Sequence, residues 1–165
     1  MDLLYDIVLY PIIFILPAYV ANSSPVLFGG GTPIDFNKKL WGKPIFGPHK
    51  TWSGLIAGIV LGILTGYVES IFLPYMAITG IALTLGTHAG DLLGSFVKRR
   101  MGTASGTEVM LLDQYPFLIL ALVFAYPLGN MPGIYGVLFL LVVTGLVHRY
   151  ANIIAHRIKL KAVPW

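Results

Sequence analysis

The sequence predicts an all-α integral membrane protein, and two observations indicate this class. The 165 residues are 56% hydrophobic and only 11% charged, and their mean hydropathy is +0.80. Soluble domains carry about 25% charged residues, so a soluble fold is not expected. The apolar residues are also gathered into runs close to the ~20 residues that a helix needs to cross a bilayer. Residues 1–165 are interpreted as a single transmembrane domain, because the chain is too short for more.

Five apolar segments predict five transmembrane helices. They cover residues 3–21, 52–68, 70–89, 115–128 and 132–147. The last two segments form one run without Asp, Glu, Lys or Arg, which is too long for a single crossing. The sequence PLGNMPG inside that run is a turn signal and divides it.

The basic residues predict the orientation of these helices. All 11 Lys and Arg residues lie in the loop at about 22–51, in the loop at about 98–113, or after the fifth segment. The opposite face holds only Asp2, Asp6 and Glu69. The positive-inside rule therefore predicts two functional cytoplasmic loops, a cytoplasmic C-terminus and an N-terminus outside.

The third apolar segment and the loop after it carry the candidate chemistry. The stretch GTHAGDLLGSFVKRRMGTASGTEVMLLDQ, residues 86–114, holds six charged residues in an otherwise apolar chain. Asp91, Ser95 and Lys98 stand at i, i+4 and i+7, which places them on one face of a helix. Asp113 follows just before the next apolar segment. Because charges beside membrane helices are costly, this stretch predicts a functional site.

Two carboxylates at the same end of separate apolar segments could converge on one Mg²⁺ ion. Magnesium is typically bound by one or two carboxylates together with substrate phosphates and waters, which suits Asp91 and Asp113. Lys98 and Arg99 would then face phosphate oxygens, and Ser95 could donate to the same oxygens. The alternative is a structural ion pair between Asp91 and either Lys98 or Arg99.

The first loop combines glycine with basic residues. Gly29, Gly30 and Gly31 could let backbone amides approach a phosphate closely. Four lysines follow in the same loop: Lys38, Lys39, Lys43 and Lys50. The alternative is an ordinary interfacial loop with basic anchors, since a glycine run alone is weak evidence.

The start of the second segment has a packing signature. Thr51 is a candidate N-cap for the helix that follows it. Gly54, Gly58, Gly62 and Gly66 repeat every four residues and form one stripe without side chains. Such a stripe lets another membrane helix approach closely, so these glycines are interpreted as packing residues.

Both loops resemble those of CTP-dependent cytidylyltransferases of lipid synthesis. Asp91, the sequence SFVKR at 95–99 and Asp113 resemble the S-x-x-K-R…D pattern of the phosphatidate cytidylyltransferases. The first loop is similar to that of the small archaeal branch, the CDP-archaeol synthases, in AYVAN at 18–22, Pro25, GG at 29–30, TPIDF at 32–36, Gly47 and KTW at 50–52. The archaeal branch is the closer match, and the resemblance covers nearly the whole chain.

This resemblance implies a reaction and a set of site residues. CMP would pass from CTP to 2,3-bis-O-geranylgeranylglycerol 1-phosphate, giving CDP-archaeol and pyrophosphate at the cytoplasmic face of the cell membrane. Asp91, Lys98 and Asp113 would be catalytic, with Mg²⁺ held by the two aspartates. The expected substrate-binding residues are Asn22, Gly29, Gly30, Gly31, Lys38, Lys50, Ser95, Arg99 and Gln114.

Other classes of function compete with this interpretation. A small transporter or channel is disfavoured because the charges cluster at one membrane face. Another phospholipid-synthesis enzyme, such as an acyltransferase, would leave the pair Asp91 and Asp113 unexplained. A non-catalytic assembly subunit would not need Gly, Lys and Asp concentrated in both loops.

The chain has no cysteine, which excludes cysteine-ligated zinc and a cysteine nucleophile. The expected partners are CTP, an isoprenoid glycerol-phosphate lipid and the bilayer, with no nucleic acid.

Overall fold

The computed structural model describes residues 2–104, 107 and 109–160 of the chain. Its helices, in chain order, are a π-helical turn at Tyr5–Leu9 that continues into α1 (Tyr10–Phe28), α2 (Trp52–Glu69), α3 (Met76–Arg100), α4 (Met110–Gln114), α5 (Pro116–Ala125) with a 3-10 turn at Tyr126–Leu128, and α6 (Ile134–Arg157). A short antiparallel hairpin, β1 (Lys39–Leu40) and β2 (Lys43–Pro44), lies between α1 and α2. The predicted all-helical class is confirmed.

Helices α2 and α3 run antiparallel in close contact. Gly66, near the end of α2, meets Gly80, near the start of α3, while Gly58 meets His88 further along. The N-terminal end of α2 therefore lies beside the C-terminal half of α3. This arrangement brings the first loop next to the charged part of α3.

Helix α6 runs parallel to α1. Near the starts of the two helices Gly136 packs against Pro11, and further along the Tyr19 hydroxyl lies 2.7 Å from Thr144 Oγ1. Both loops and the C-terminal end of α6 therefore lie at the same end of the bundle. That this end of the bundle faces the cytoplasm stays a prediction.

The core is formed mainly by α1, α3 and α5. Its buried apolar residues are Phe14, Ile15, Ala18, Met76, Leu83, Phe117, Leu118, Ala121, Ala125 and Leu140. In a bilayer, burial against protein gives little hydrophobic gain over burial against lipid tails. Close packing of the helices is therefore the main source of their association.

The predicted glycine stripe on α2 provides such packing. Gly54, Gly58, Gly62 and Gly66 are all buried, which confirms the prediction. A Cβ atom at Gly66 would lie only 2.7 Å from the Cα atom of Gly80. The backbones of α2 and α3 therefore touch at a distance that any larger side chain would prevent.

Four helices in the described part of the chain are long and apolar enough to cross a membrane. They are Tyr5–Phe28, Trp52–Glu69, Leu111–Leu128 and Ile134–Arg157. The remaining predicted segment, 70–89, corresponds to α3, which has 25 residues but a charged C-terminal part. The count of five crossings therefore stays a prediction.

The predicted end of the first segment is wrong. Helix α1 continues to Phe28, so Asn22 lies in a helix and not in the loop. Ser23 and Ser24 do not end the helix, because their hydroxyl groups bond to a carbonyl oxygen in the preceding helical turn. Ser23 Oγ and Ser24 Oγ both donate to the Val20 carbonyl oxygen, at 3.2 and 2.6 Å.

The predicted bounds of the third segment are also wrong. Residues 70–75 form turns, and α3 begins only at Met76. The helix ends at Arg100, beyond the predicted limit of 89. This confirms that Asp91, Ser95 and Lys98 share one helix, and it makes the loop predicted at about 98–113 shorter. Cations are favoured in the last turn of a helix because they face its negative dipole end.

A methyl group added at Gly66 should destabilise the bundle. The new Cβ would lie 2.7 Å from Gly80 Cα and 3.1 Å from the Met76 carbonyl oxygen. Overpacking costs about 1–3 kcal/mol, which exceeds the ~0.5–1 kcal/mol that alanine gains over glycine in a helix. Thermal unfolding in detergent should show a lower Tm for Gly66→Ala. Gly133→Ala is the control, because nothing lies within 4 Å of its Cβ position. Equal Tm values for the two variants would contradict the close approach of α2 and α3.

Candidate active site

One ion pair connects the first loop to α3. Lys50 Nζ lies 2.6 Å from each carboxylate oxygen of Asp91. The two side chains are 27% and 30% exposed, so the pair is accessible from outside the protein. Among the described residues, neither Lys98 nor Arg99 pairs with Asp91. The alternative of an ion pair within α3 is therefore wrong, and the partner of Asp91 comes from the other loop.

A second ion pair connects the end of α3 to α4. Lys98 Nζ donates to the two Asp113 oxygens at 2.7 and 2.9 Å and to the Thr107 carbonyl oxygen at 2.7 Å. The backbone N–H of Val109 also donates to Asp113, at 2.8 Å. Lys98 is only 7% exposed. A buried ammonium is stable only when it is paired and hydrogen-bonded, which these contacts achieve.

The two ion pairs lie along the same stretch of α3. Asp91 and Lys98 stand about two turns apart on one face of a continuous helix. Gly94 lies between them, and a Cβ atom there would lie 2.6 Å from the Leu112 carbonyl oxygen. Leu112 directly precedes Asp113. The α4 turn therefore packs against α3 one turn after Asp91, and both carboxylates flank this contact.

The first loop is folded around a buried carboxylate. Asp35 is 5% exposed, and it accepts hydrogen bonds from the backbone N–H groups of Asn37, Phe46 and Gly47 at 3.0, 2.9 and 3.0 Å. Burial alone would raise the pKa of Asp35, but the N–H groups of Gly47, Phe46 and Asn37 together hold it below its usual value. Asp35 is thus an ionised structural group. No role was predicted for Asp35 from the sequence, although an aspartate that bonds the backbone two residues on is a known turn signal.

Arg100 attaches the hairpin of the first loop to α3. Its guanidinium donates to the carbonyl oxygens of Leu40, Lys43 and Pro44, and it lies 5.6 Å from the centre of the Trp41 ring. In return, Lys43 Nζ donates to the Arg100 carbonyl oxygen at 3.0 Å. Both cations therefore hold the first loop against the end of α3, a role that was not predicted from the sequence.

The three glycines follow the end of α1. Gly30 and Gly31 have φ angles of +134° and +71°, and no atom lies within 4 Å of their Cβ positions. Only glycine adopts such angles readily, so the loop needs glycine here. The Gly30 N–H donates to Thr51 Oγ1 at 3.1 Å, and the same hydroxyl caps α2 as predicted. The glycine run therefore lies against the start of α2 with open space beside it.

Among the residues that the structure describes, four other predicted site residues do not bond to the ion pairs. Ser95 is partly exposed on α3, and Lys38 is exposed in the first loop. Gln114 is buried and lies beside Gly145 of α6. Asn22 lies in α1. In the described part of the chain, no hydrogen bond joins Asn22, Lys38, Ser95 or Gln114 to either ion pair.

Arg99 is a buried cation whose guanidinium group lacks a full set of hydrogen-bond partners among the described residues. It is 7% exposed, and among the described residues its Nε atom has no hydrogen-bond partner. An unpaired buried cation is costly, and an anion bound nearby would offset that cost. The Nε atom of Arg100 also lacks a partner in the described part of the chain, but its other two guanidinium nitrogens bond to the hairpin. Arg99 is therefore the better candidate for binding an anionic ligand.

The donor set fits magnesium. The candidate ligands Asp91 and Asp113 offer only carboxylate oxygens, which this ion prefers. The described residues contain no group of three or more His, Cys, Asp or Glu side chains arranged around one ion position. Magnesium does not need such a cage, because it usually keeps waters and substrate phosphates as its remaining ligands.

Comparisons with known proteins identify the family of this chain. The sequence profile of the CarS-like family, described as CDP-archaeol synthase, matches residues 4–165. The CDP-archaeol synthase of Pyrococcus furiosus is 49% identical over 160 residues, which cover 92% of this chain and 95% of that protein. The enzyme of Pyrococcus horikoshii is 52% identical over 161 residues, covering 92% and 94%. That of Methanococcus aeolicus is 39% identical, with 100% of both chains covered.

A solved structure shares the fold. It is described as an intramembrane enzyme for archaeal membrane lipid biosynthesis, and it superposes with a TM-score of 0.80 at 37% identity, covering 86% of this chain and 92% of that chain. This likeness and the apolar helices identify a multi-pass membrane protein. The resemblance that the two loops indicated is thus confirmed, and the chain belongs to the CDP-archaeol synthase family.

Proposed function

We propose that this chain transfers CMP from CTP to 2,3-bis-O-geranylgeranylglycerol 1-phosphate, giving CDP-archaeol and pyrophosphate. The observation that carries the proposal is the presence of two ion pairs, Lys50 with Asp91 and Lys98 with Asp113, on α3 at the end of the bundle where both loops lie. This end of the bundle also holds Arg99, which favours an anionic ligand. A triphosphate and a lipid phosphate are anions of the required kind.

The reaction needs positioning and charge stabilisation more than proton transfer. An oxygen of the lipid phosphate attacks the α-phosphorus of CTP, and the bond from that phosphorus to the β-phosphate oxygen breaks. The attacking oxygen is already anionic at neutral pH, so no strong general base is required. The protein must bring two polyanions together and stabilise the charge on the departing pyrophosphate. Lysine and arginine side chains are suited to this task.

The two carboxylates would hold Mg²⁺. Asp91 and Asp113 would bind the ion, whose charge supplies neutralisation of the triphosphate. Lys50 and Lys98 each lie within hydrogen-bond distance of one of these carboxylates. The two lysines would bind phosphate oxygens of the nucleotide when the carboxylates hold the ion. Arg99 is assigned to the same phosphates as a further cation.

The membrane arrangement follows from the charge distribution. Five crossings with both loops on the cytoplasmic side would place the site where CTP is present. The isoprenoid chains would stay in the bilayer between helices, with the phosphate at the loop end. Family membership does not favour the transporter and acyltransferase alternatives.

The proposal is tested by nucleotide and lipid dependence in one assay. Purified protein in detergent receives Mg²⁺, geranylgeranylated glycerol phosphate and labelled CTP, with ATP, GTP and UTP in parallel. We expect a labelled lipid with CTP alone and one pyrophosphate released per lipid. Folded protein that binds no CTP and forms no labelled lipid would contradict the proposal.

Removing either carboxylate should abolish turnover. Asp91→Asn and Asp113→Asn retain side-chain size but lose the charge that holds the metal ion, so we expect turnover to fall at least ~100-fold. Asp6→Asn is the matched control, because it loses the same charge at the opposite end of the bundle. Thermal unfolding checks that all three variants fold. Near-wild-type turnover of Asp91→Asn or Asp113→Asn with Mg²⁺ present would exclude that residue as a ligand.

Removing Lys98 should weaken the use of CTP. A charge-assisted hydrogen bond contributes about 1.5–3 kcal/mol, so Lys98→Ala should lower kcat/KM for CTP by ~10–100-fold. Lys39→Ala is the control, because Lys39 is an exposed lysine of the other loop. Steady-state kinetics at varied CTP concentration measure the effect. If both variants behave alike, Lys98 is only an interfacial anchor.

A further inference from the structure

The carboxylate of Asp35 has no role in the steps described above, yet it is among the most heavily bonded groups of the site region. It accepts three backbone N–H bonds in the first loop. The Asp35 carbonyl oxygen also accepts the Lys38 N–H at 2.8 Å, which closes the turn a second time. Inside this turn Phe36 and Asn37 have φ angles of +50° and +58°, which residues other than glycine rarely adopt. The turn therefore depends on Asp35 to keep its shape.

A continuous set of hydrogen bonds leads from Asp35 to Lys50. The N–H of Gly47 donates to Asp35 at 3.0 Å, and the carbonyl oxygen of Gly47 accepts the N–H of Lys50 at 3.2 Å. On the other side, the carbonyl oxygen of Lys50 accepts the N–H of Ile34 at 2.7 Å. Ile34 directly precedes Asp35. The backbone of Lys50 is thus held at both its N–H and its C=O by residues that Asp35 organises.

The fixed backbone limits the region that the Lys50 ammonium group can reach. Lysine has a flexible four-carbon stem that loses considerable freedom when its end group binds. Here Lys50 Nζ contacts both oxygens of Asp91 although its backbone belongs to a separate loop. A loop held in its bound shape before a ligand arrives loses less freedom on binding. Asp35 supplies this preorganisation at a distance from the ion pair.

We infer that Asp35 is a positioning residue, whose carboxylate fixes the turn that presents the Lys50 ammonium to Asp91 and to the phosphates of the nucleotide. The inference rests on the proposed function, because it assigns Lys50 to the triphosphate. Asp35 itself touches no substrate in this account and acts only through Lys50. A purely structural residue would instead affect the stability of the whole bundle and every part of the site alike.

A double-mutant cycle separates the two roles. The variants are Asp35→Asn, Lys50→Met and their combination, with Asp6→Asn as the matched control for the loss of a carboxylate. Asparagine has one acceptor oxygen in place of two, so it cannot keep all three N–H bonds. We expect Asp35→Asn to lower kcat/KM for CTP by ~10-fold, because small displacements of a binding group are costly. In the Lys50→Met background the same change should have an effect below about twofold, since the group that it positions is gone. If the losses in kcat/KM of the two single variants multiply in full in the double variant, the inference is overturned.

A second measurement does not depend on activity. The Lys50 ammonium is paired and held, so it should react slowly with an amine-acylating reagent, and mass spectrometry can compare it with exposed Lys39 in the same loop. Asp35→Asn should raise the reactivity of Lys50 several-fold and leave that of Lys39 unchanged. Unchanged reactivity of Lys50 would overturn the inference even if turnover falls. The wild-type protein could lack CTP-dependent activity while Asp35→Asn still raises the reactivity of Lys50. In that case the proposed function fails and the positioning role stands.

A conservative variant covers the case in which Asp35→Asn does not fold. Asp35→Glu keeps the negative charge but adds a methylene group, which moves the carboxylate relative to the three N–H groups. We expect it to raise Lys50 reactivity and lower kcat/KM for CTP in the same direction as Asp35→Asn. Wild-type values of both quantities in Asp35→Glu would show that charge alone matters, which contradicts a positioning role.

Discussion

The site depends on the contact between the Lys50 ammonium and the Asp91 carboxylate. It joins a loop to a helix across a long stretch of sequence, and neither charge would be stable alone at the edge of a bilayer. Two separate parts of the structure must be in place for this contact to form. The first loop must present Lys50, and the packing of α2 and α3 must place Asp91 opposite it.

Glycine residues meet the second requirement, the packing of α3 that places Asp91. A Cβ atom at Gly66 would lie 2.7 Å from Gly80, and one at Gly90 would lie 2.1 Å from the Pro116 carbonyl oxygen of α5. Helix α3 therefore has a neighbouring backbone in direct contact on two sides. Because helices in a bilayer associate mainly through such close packing, the glycines determine how near Asp91 comes to the elements around it.

Features with a local period or spacing were predictable from the sequence, and contacts between distant segments were not. The α3 face with Asp91 and Lys98 and the buried glycine stripe of α2 follow from helical repeats. The sequence could not show that Lys50 is the partner of Asp91, because the pair joins residues 41 positions apart and the same loop holds three other lysines. The roles of Asp35 and Arg100 depend on backbone groups that meet only after folding, which is why the sequence analysis assigned them none.

The central claim is that both carboxylates bind one metal ion while the lysines bind the nucleotide phosphates. Crystals grown with CTP and Mn²⁺ in place of Mg²⁺ test it, because anomalous scattering locates the ion. The account predicts a peak within coordination distance of carboxylate oxygens of both Asp91 and Asp113, with Lys50 and Lys98 turned to phosphate oxygens. An ion bound by neither aspartate, with both ion pairs intact beside bound CTP, would contradict it.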